Sequence, residues 1–160
     1  MKEGIAETLA RIDKMVARQD RIDALRQDHT IGMENIIDVC FNENLHWLLP
    51  VGSPPYKIQE KEVDLQHVLY SQIRKLGIFI DSGNYNNMNT LMRERQFIDF
   101  LESIDQDDAK LILFIKDKRK LPYSRITRKL FEDAWPALAS TWPNKEKKKN
   151  EDTSREDRNT

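Results

Sequence analysis

Three aspartates and a lysine, Asp105, Asp107, Asp108 and Lys110, are of the residue types that metal-dependent nucleases use. An Asp-x-Lys pair places a metal-binding carboxylate beside a charge-stabilising lysine when both residues lie on a strand, where alternate side chains share a face. Here the surrounding pattern predicts the start of a helix, where residues two positions apart diverge by about 200°. The aspartates are therefore predicted to cap a helix, and a nuclease is the least favoured alternative.

The remaining residues with reactive side chains show no pattern typical of catalysis or metal binding. His29, His46 and His67 lie in different segments, and Cys40 lies within an apolar run without a second cysteine. Metal sites need ligands at convergent spacings, and nucleophiles need a neighbouring base. The glycines are scattered singly, so no phosphate-binding loop is indicated. We predict no catalytic residue, metal or cofactor.

A basic segment, residues 116–129, is the strongest functional signal. Its cations are Lys116, Lys118, Arg119, Lys120, Arg125, Arg128 and Lys129. Such a cluster could hold nucleic-acid phosphates, and its arrangement around a Pro122 turn superficially resembles a helix-turn-helix, although the turn lacks glycine. It could equally bind an acidic protein, or simply be a solvated face that complements a helix C-terminus. The sequence leaves these three interpretations open, with the basic segment as the predicted contact region.

Charge is divided unevenly along the chain. Residues 1–115 carry 13 Lys and Arg against 19 Asp and Glu, whereas residues 116–160 carry 13 against 8. The formal net charge of −1 therefore conceals a negative N-terminal portion and a positive C-terminal portion. This polarity favours functions that rest on electrostatic contact with a partner or between copies of the chain.

Helical spacing of apolar residues dominates the sequence and predicts an all-α fold, a compact bundle of five or six helices. Residues 109–115 are apolar at nearly every position, so that helix should be central. The other predicted helical segments are 5–25 with a break near 18–20, 36–41, 45–49, 65–80, 91–104 and 126–135.

Three regions are predicted: an N-terminal amphipathic helical arm (1–28), a helical core domain (29–140) and a disordered charged tail (141–160). The arm has a narrow apolar stripe, which we expect to dock on the core. Self-association as a short coiled coil is the alternative and would give a homo-oligomer. From residue 144 to 160 there is no Val, Ile, Leu, Met or aromatic residue, so nothing there can be buried.

A proline-rich stretch, residues 49–57, holds three of the six prolines. It does not match Pro-Pro-x-Tyr, because Tyr56 follows Pro55 directly. We predict an ordered connector in which the prolines end a helix at residue 49 and Tyr56 lies on the body.

Cellular location follows from what the sequence lacks. A lone Cys40 gives no internal disulfide, the N-terminus has acidic residues where a signal peptide needs basic ones, and no window approaches 18 apolar residues. The expectation is a cytoplasmic protein without membrane contact.

The order of several motifs resembles a family of small uncharacterised proteins encoded by large contractile-tailed phages. The likeness covers residues 30–139, and departs at Val51, where an acidic residue is expected, and at Trp135, where phenylalanine is usual. The motifs are LLPVGSPPYK (48–57), QIRKLGIF (72–79), RERQFIDFLES (93–103), DAKLIL (108–113) with KDK (116–118), and EDAWPAL (132–138). The resemblance implies an all-helical viral protein in the cytoplasm of an infected bacterium, and it carries no catalytic residue.

The predicted function is a non-enzymatic phage accessory protein that binds a host or phage protein, or nucleic acid, through the basic segment. A sequence-independent DNA-binding factor is the first alternative. The nuclease built on Asp105, Asp107, Asp108 and Lys110 comes last.

Overall fold

The computed structural model describes residues 3–58, 68–81 and 83–143, and within them the chain is all-α, as predicted, with no β-strand. The predicted disordered tail from residue 144 onward lies outside these ranges. Helices are more numerous than predicted, because the 65–80 segment is divided and a further short helix follows the 126–135 segment. The helices are α1 (Ile5–Asp13), α2 (Arg18–Gln27), α3 (Ile31–Phe41), α4 (Val68–Gln72), a 3₁₀ turn (Ile73–Lys75), α5 (Leu76–Phe79), α6 (Thr90–Ser103), α7 (Gln106–Lys118), α8 (Arg128–Ala134) and α9 (Pro136–Ala139).

The central element is α7, which packs against α1, α3 and α6. Ala109, Ile112 and Ile115 are fully buried, so the apolar pattern correctly predicted a central helix. Its side chains join those of the other helices in one contiguous core cluster. Within the described ranges, no helix is both long and apolar enough to cross a membrane.

Four of the described helices begin at polar side chains that cap their free N–H groups, and for α6 the cap is Asn89 Oδ1, which accepts from Leu91 N at 2.8 Å. Thr30 Oγ1 accepts from Met33 N at 3.1 Å at the start of α3, and Asp105 Oδ2 accepts from Asp107 N at 2.9 Å before α7. Thr127 provides the same cap for α8. The cap at Asp105 was predicted from sequence, and the Thr30 and Thr127 oxygens likewise satisfy donors that have no intrahelical partner.

The break between α1 and α2 lies at residues 14–17, so the prediction of a break near 18–20 was wrong. Arg21 Nη1 donates to the carbonyls of Met15 (2.7 Å) and Val16 (3.0 Å), which satisfies backbone oxygens that leave the helix here. The apolar stripe of α1, including Ile5 and Leu9, is buried in the common core cluster. The N-terminal stripe is thus covered by the rest of the chain.

The apolar run 45–49 is extended, so the prediction of a helix there was wrong. Leu48 N donates to Phe79 O at 2.8 Å and Asp81 N donates to His46 O at 2.7 Å, on either side of an isolated antiparallel bridge between Trp47 and Ile80. The backbone at the end of α5 supplies these partners, and such a long-range pairing overrides local helical spacing.

Trp142, placed in the tail by the sequence prediction, is buried in the core cluster. Its Nε1 donates to Asp38 Oδ1 at 3.0 Å, and its ring centroid lies 5.6 Å from that of Phe41. The packed body therefore continues past residue 140, because a large aromatic ring with one satisfied donor is readily buried.

Candidate interaction surface

The seven cations predicted to form one contact region are divided by the structure into two groups. Lys116, Arg119 and Arg128 hold other parts of the chain in place through hydrogen bonds. The remaining four are exposed, although Arg125 also donates to Met15 O at 3.3 Å: Lys118, Lys120, Arg125 and Lys129. The contact prediction therefore concerns only this second group.

Lys116 is buried, with 2% of its side chain exposed. Its Nζ donates to Pro50 O (2.7 Å), Gly52 O (3.1 Å) and Asp117 Oδ1 (2.5 Å). These three acceptors use all the donors of an ammonium group. Lys116 therefore cannot contact a partner. The prediction that it belongs to the contact region was wrong.

The segment that Lys116 holds is residues 49–57, which we call the proline strap. Gly52 adopts φ 104°, a left-handed conformation that suits glycine, and its N–H donates to both carboxylate oxygens of Asp117 at 3.2 Å. Burial raises the pKa of Asp117, but the hydrogen bonds from Lys116 and Gly52 outweigh it and leave the pKa below its usual value. At the far end, Lys57 N donates to Glu102 Oε1 at 2.9 Å, and Tyr56 packs on the core. The prediction of an ordered connector is confirmed.

Arg119 holds the end of α3. It adopts a left-handed conformation (φ 54°) directly after α7, and its guanidinium Nη1 and Nη2 donate to Leu45 O and Asn42 O, both at 2.7 Å. Burial lowers the pKa of Arg119. A cation at carbonyls beyond a helix C-terminus is electrostatically favourable, so this arginine stabilises the fold rather than facing a partner.

Arg128 holds the chain that follows α9. Its Nη2 donates to Pro143 O, its Nε donates to Glu132 Oε1 at 3.2 Å, and its guanidinium carbon lies 5.5 Å from the ring centre of Trp142. A guanidinium over an indole ring is a favourable cation–π contact. Arg128 is thereby occupied in fixing Trp142.

The outer side of α7 presents a surface that the sequence analysis did not predict. Lys110, Phe114 and Lys118 are spaced four residues apart and lie on one face of the helix, with Lys110 and Lys118 exposed and Phe114 partly exposed. We call this set the α7 outer face. The sequence prediction did not single it out, although the i, i+4, i+8 spacing was visible, because the apolar run had been interpreted as wholly buried.

Two cavities adjoin Phe114, and both are also lined by Pro122 and Tyr123. One, of about 530 Å³, includes Lys110 in its wall; the other, of about 420 Å³, includes Lys120. We call the two together the outer groove. Its floor is aromatic and its edges carry lysines, which is suitable for a segment with both apolar and acidic side chains.

The groove is anchored underneath by a clamp on the peptide of Ala6. Asp108 Oδ1 accepts from Ala6 N at 2.9 Å, and Tyr123 Oη donates to Ala6 O at 3.1 Å. Burial raises the pKa of Asp108 to about 7, with smaller contributions from nearby carboxylates. Burial likewise raises the pKa of Tyr123 to about 12. These groups join α1, α7 and the 119–127 connection, so the wall of the groove is fixed.

The acidic residues of the nuclease alternative have structural positions. Asp105 caps α7, Asp107 is exposed, and Asp108 is buried against Ala6. Across the described part of the chain, no group of three or more His, Cys, Asp or Glu side chains is arranged to hold a metal ion. The helix-cap interpretation of Asp105 is confirmed.

The histidines and the cysteine within the described ranges are also placed structurally. His29 Nε2 lies 2.8 Å from Glu34 Oε2, and its ring contacts Trp135 edge-on. Cys40 is buried, and burial raises the pKa of its thiol to about 12, so the reactive thiolate is strongly disfavoured. His67 lies outside the described residues. The prediction that Cys40 is a core thiol is confirmed.

The geometry around Pro122 departs from a helix-turn-helix. Residues 119–127 separate α7 from α8, whereas that motif uses a turn of about three or four residues. In addition, the exposed carboxylates of α8, Glu132 and Asp133, are paired with Arg128 and Arg18.

A family model matches most of the chain. Residues 8–121 match the model of a family of unknown function, DUF6433. The chain belongs to this family. The matched region includes α3, α6 and α7, most of α1, the proline strap and half of the residues that line the outer groove, and it ends before Pro122, Tyr123 and α8. No curated protein and no solved structure matches the chain.

Proposed function

We propose that this member of DUF6433 is a non-enzymatic accessory protein of a contractile-tailed phage, which binds an acidic segment of a host or phage protein in the infected cell's cytoplasm. The observation that carries the binding role is the outer groove, where Phe114 separates two cavities and lysines stand at the edges. The resemblance in motif order supports the phage setting.

The chemistry of the groove favours a mixed apolar and acidic ligand. An aromatic or aliphatic side chain can enter a cavity of about 420 Å³ against Phe114 and Tyr123. Carboxylates to either side would then meet Lys110, Lys118 and Lys120, whose exposed ammonium groups steer association and select partners more than they add affinity.

Neighbouring carboxylates favour a protein over nucleic acid as the partner. Glu7 and Asp107 line the same cavity as Lys110. A nucleic-acid backbone carries a regular row of phosphates and would be repelled at these points, whereas a peptide can place its charges to avoid them.

A charge-reversal experiment tests the proposal. The variant Lys110→Glu, Lys118→Glu and Lys120→Glu is compared with the wild type as bait in nuclease-treated lysate from phage-infected bacteria. The matched control reverses three exposed cations elsewhere, Arg74, Lys75 and Arg95. We expect the wild type and the control to retain a stoichiometric protein that the groove variant loses, and we expect raised salt to weaken its capture.

A parallel measurement addresses nucleic acid. Fluorescence anisotropy with a labelled 30-base duplex and a labelled single strand should show no binding that depends on Lys110, Lys118 and Lys120. Groove-dependent DNA binding with a steep salt slope would instead establish the DNA-binding alternative. Equal protein capture by all three baits would overturn the role of the groove.

A further inference from the structure

A second cavity system lies on another side of the molecule, between the proline strap and α6. It has a volume of about 430 Å³ and a mainly apolar wall. The strap is fixed over it by Lys116 and Asp117, so the cavity walls are ordered before any ligand arrives. Its lining residues are Leu49, Pro50, Val51, Gly52, Ser53, Pro54, Pro55, Glu94, Phe97, Ile98 and Lys116. We call this cavity the strap socket.

The strap socket is acidic and has an apolar rim. Val51 is 88% exposed, although it is a large apolar side chain. Lys116 and Glu94 are the charged residues of the lining, and the ammonium of Lys116 is paired with Asp117. The carboxylate of Glu94 therefore sets the charge of the wall, and the socket suits an apolar side chain accompanied by positive charge.

The connection between α1 and α2, residues 14–17, offers that chemistry on the same chain. Val16 is 85% exposed, and Lys14 beside it is exposed as well. Arg21 and Arg125 direct Nη1 atoms at Met15 O, at 2.7 and 3.3 Å. These hydrogen bonds fix the backbone at Met15, directly before the exposed Val16. We call residues 14–17 the knob.

Charge around the knob is opposite in sign to that of the socket. Three cations, Lys14, Arg21 and Arg125, surround it, against the carboxylate of Asp13, which accepts from Arg125 N at 2.9 Å. A separate cation, Arg18, is paired with Asp133. The knob is thus a rigid apolar projection in a positive setting, whereas the socket is a rigid apolar recess in a negative one.

We propose that the strap socket receives the knob of a second copy of this chain, with Val16 against Val51 and Lys14 near Glu94. The two surfaces are different, so the contact is heterologous, and one copy can bind a second through its knob and a third through its socket. Such contacts produce closed rings or open filaments. The outer groove takes no part in this contact, and the proposal is independent of the proposed function.

Sedimentation equilibrium of the full chain tests this inference. The mass-average molecular mass of the wild type should rise above the monomer mass of 18.9 kDa as the protein concentration increases from about 10 μM to about 1 mM. Weak contacts form in this concentration range. Val16→Asp and Val51→Asp should each abolish the rise. Both residues are exposed, so neither change disturbs the core. Ile31→Asp, at another apolar residue that is 75% exposed, is the matched control and should associate like the wild type.

A mixing experiment identifies the pairing. Val16→Asp retains an intact socket and Val51→Asp retains an intact knob, so an equimolar mixture should form dimers although neither variant associates alone. Glu94→Lys should weaken association and reverse its salt dependence, because salt then screens repulsion between the new lysine and the cations of the knob. A wild type that stays monomeric at about 1 mM, an Ile31→Asp variant that loses association as fully, or a mixture that stays monomeric would each overturn the inference.

The groove variant with three reversed lysines should still self-associate, and Val16→Asp should still capture the protein partner, which separates failure of this inference from failure of the proposed function.

Discussion

Lys116 and Lys118 are two positions apart on α7, yet they belong to opposite regions of the molecule. Lys116 points inward to the proline strap and donates to three oxygens, whereas Lys118 is exposed on the α7 outer face. Residues two apart on a helix diverge by about 200°, so adjacent cations serve different purposes. A run of basic residues in the sequence therefore does not form one basic surface in the folded chain.

The largest expected effect comes from breaking the inner region. Lys116→Met removes the ammonium that holds Pro50, Gly52 and Asp117, and we expect the free energy of unfolding to fall by about 4 kcal/mol, since three hydrogen bonds from a charged donor are lost. Urea unfolding measures this. Lys118→Met is the control and should change stability by less than about 0.5 kcal/mol. Equal effects of the two substitutions would show that the inner and outer regions do not differ.

A pH experiment extends the comparison from the cations of α7 to its carboxylates. Asp117 has a lowered pKa, but Asp108 has a pKa raised to about 7 from 3.8. Between pH 4 and pH 7 the folded chain binds more protons at Asp108 than the unfolded chain does, so its contribution to stability is fully present below pH 4 and is lost as pH rises to 7. We expect this loss to reach about 3 kcal/mol.

Asp108→Asn isolates that contribution. Its amide oxygen can still accept from Ala6 N, but it does not titrate. The difference in unfolding free energy between the wild type and this variant, from urea titrations at pH 4, 5.5, 7 and 8, should change steadily between pH 4 and pH 7 and level off above pH 7. A difference that is constant over this range would contradict the buried-acid assignment.

The smallest effect concerns the left-handed backbone at Arg119. Arg119→Ala and Arg119→Gly both lose the hydrogen bonds to Leu45 O and Asn42 O. Glycine adopts φ 54° without steric cost, so the glycine variant should be more stable than the alanine variant by about 1 kcal/mol. Thermal or urea unfolding of the pair measures it. Identical stabilities would mean that the backbone relaxes after the guanidinium is removed.

Local signals in the sequence were sufficient for several elements. The cap at Asp105 and the central position of α7 were both predicted, because capping and apolar periodicity depend on residues within one or two turns. The extended run at Trp47 was missed, because its partner is the distant backbone at Ile80. The α7 outer face was missed because Phe114 looked like a core residue within an apolar run.

By itself, then, the sequence determined an all-α chain, its main helices and caps, and a concentration of cations around Pro122. Only the tertiary structure decided which of those cations are available. Lys116 and Arg119 are drawn inward because backbone carbonyls of residues 42–52 lose water when the strap packs and need donors. Lys118 and Lys120 stay in solvent, where no such carbonyl within the described part of the chain accepts from them. The fold thereby separates the cations that stabilise it from those that can meet a partner.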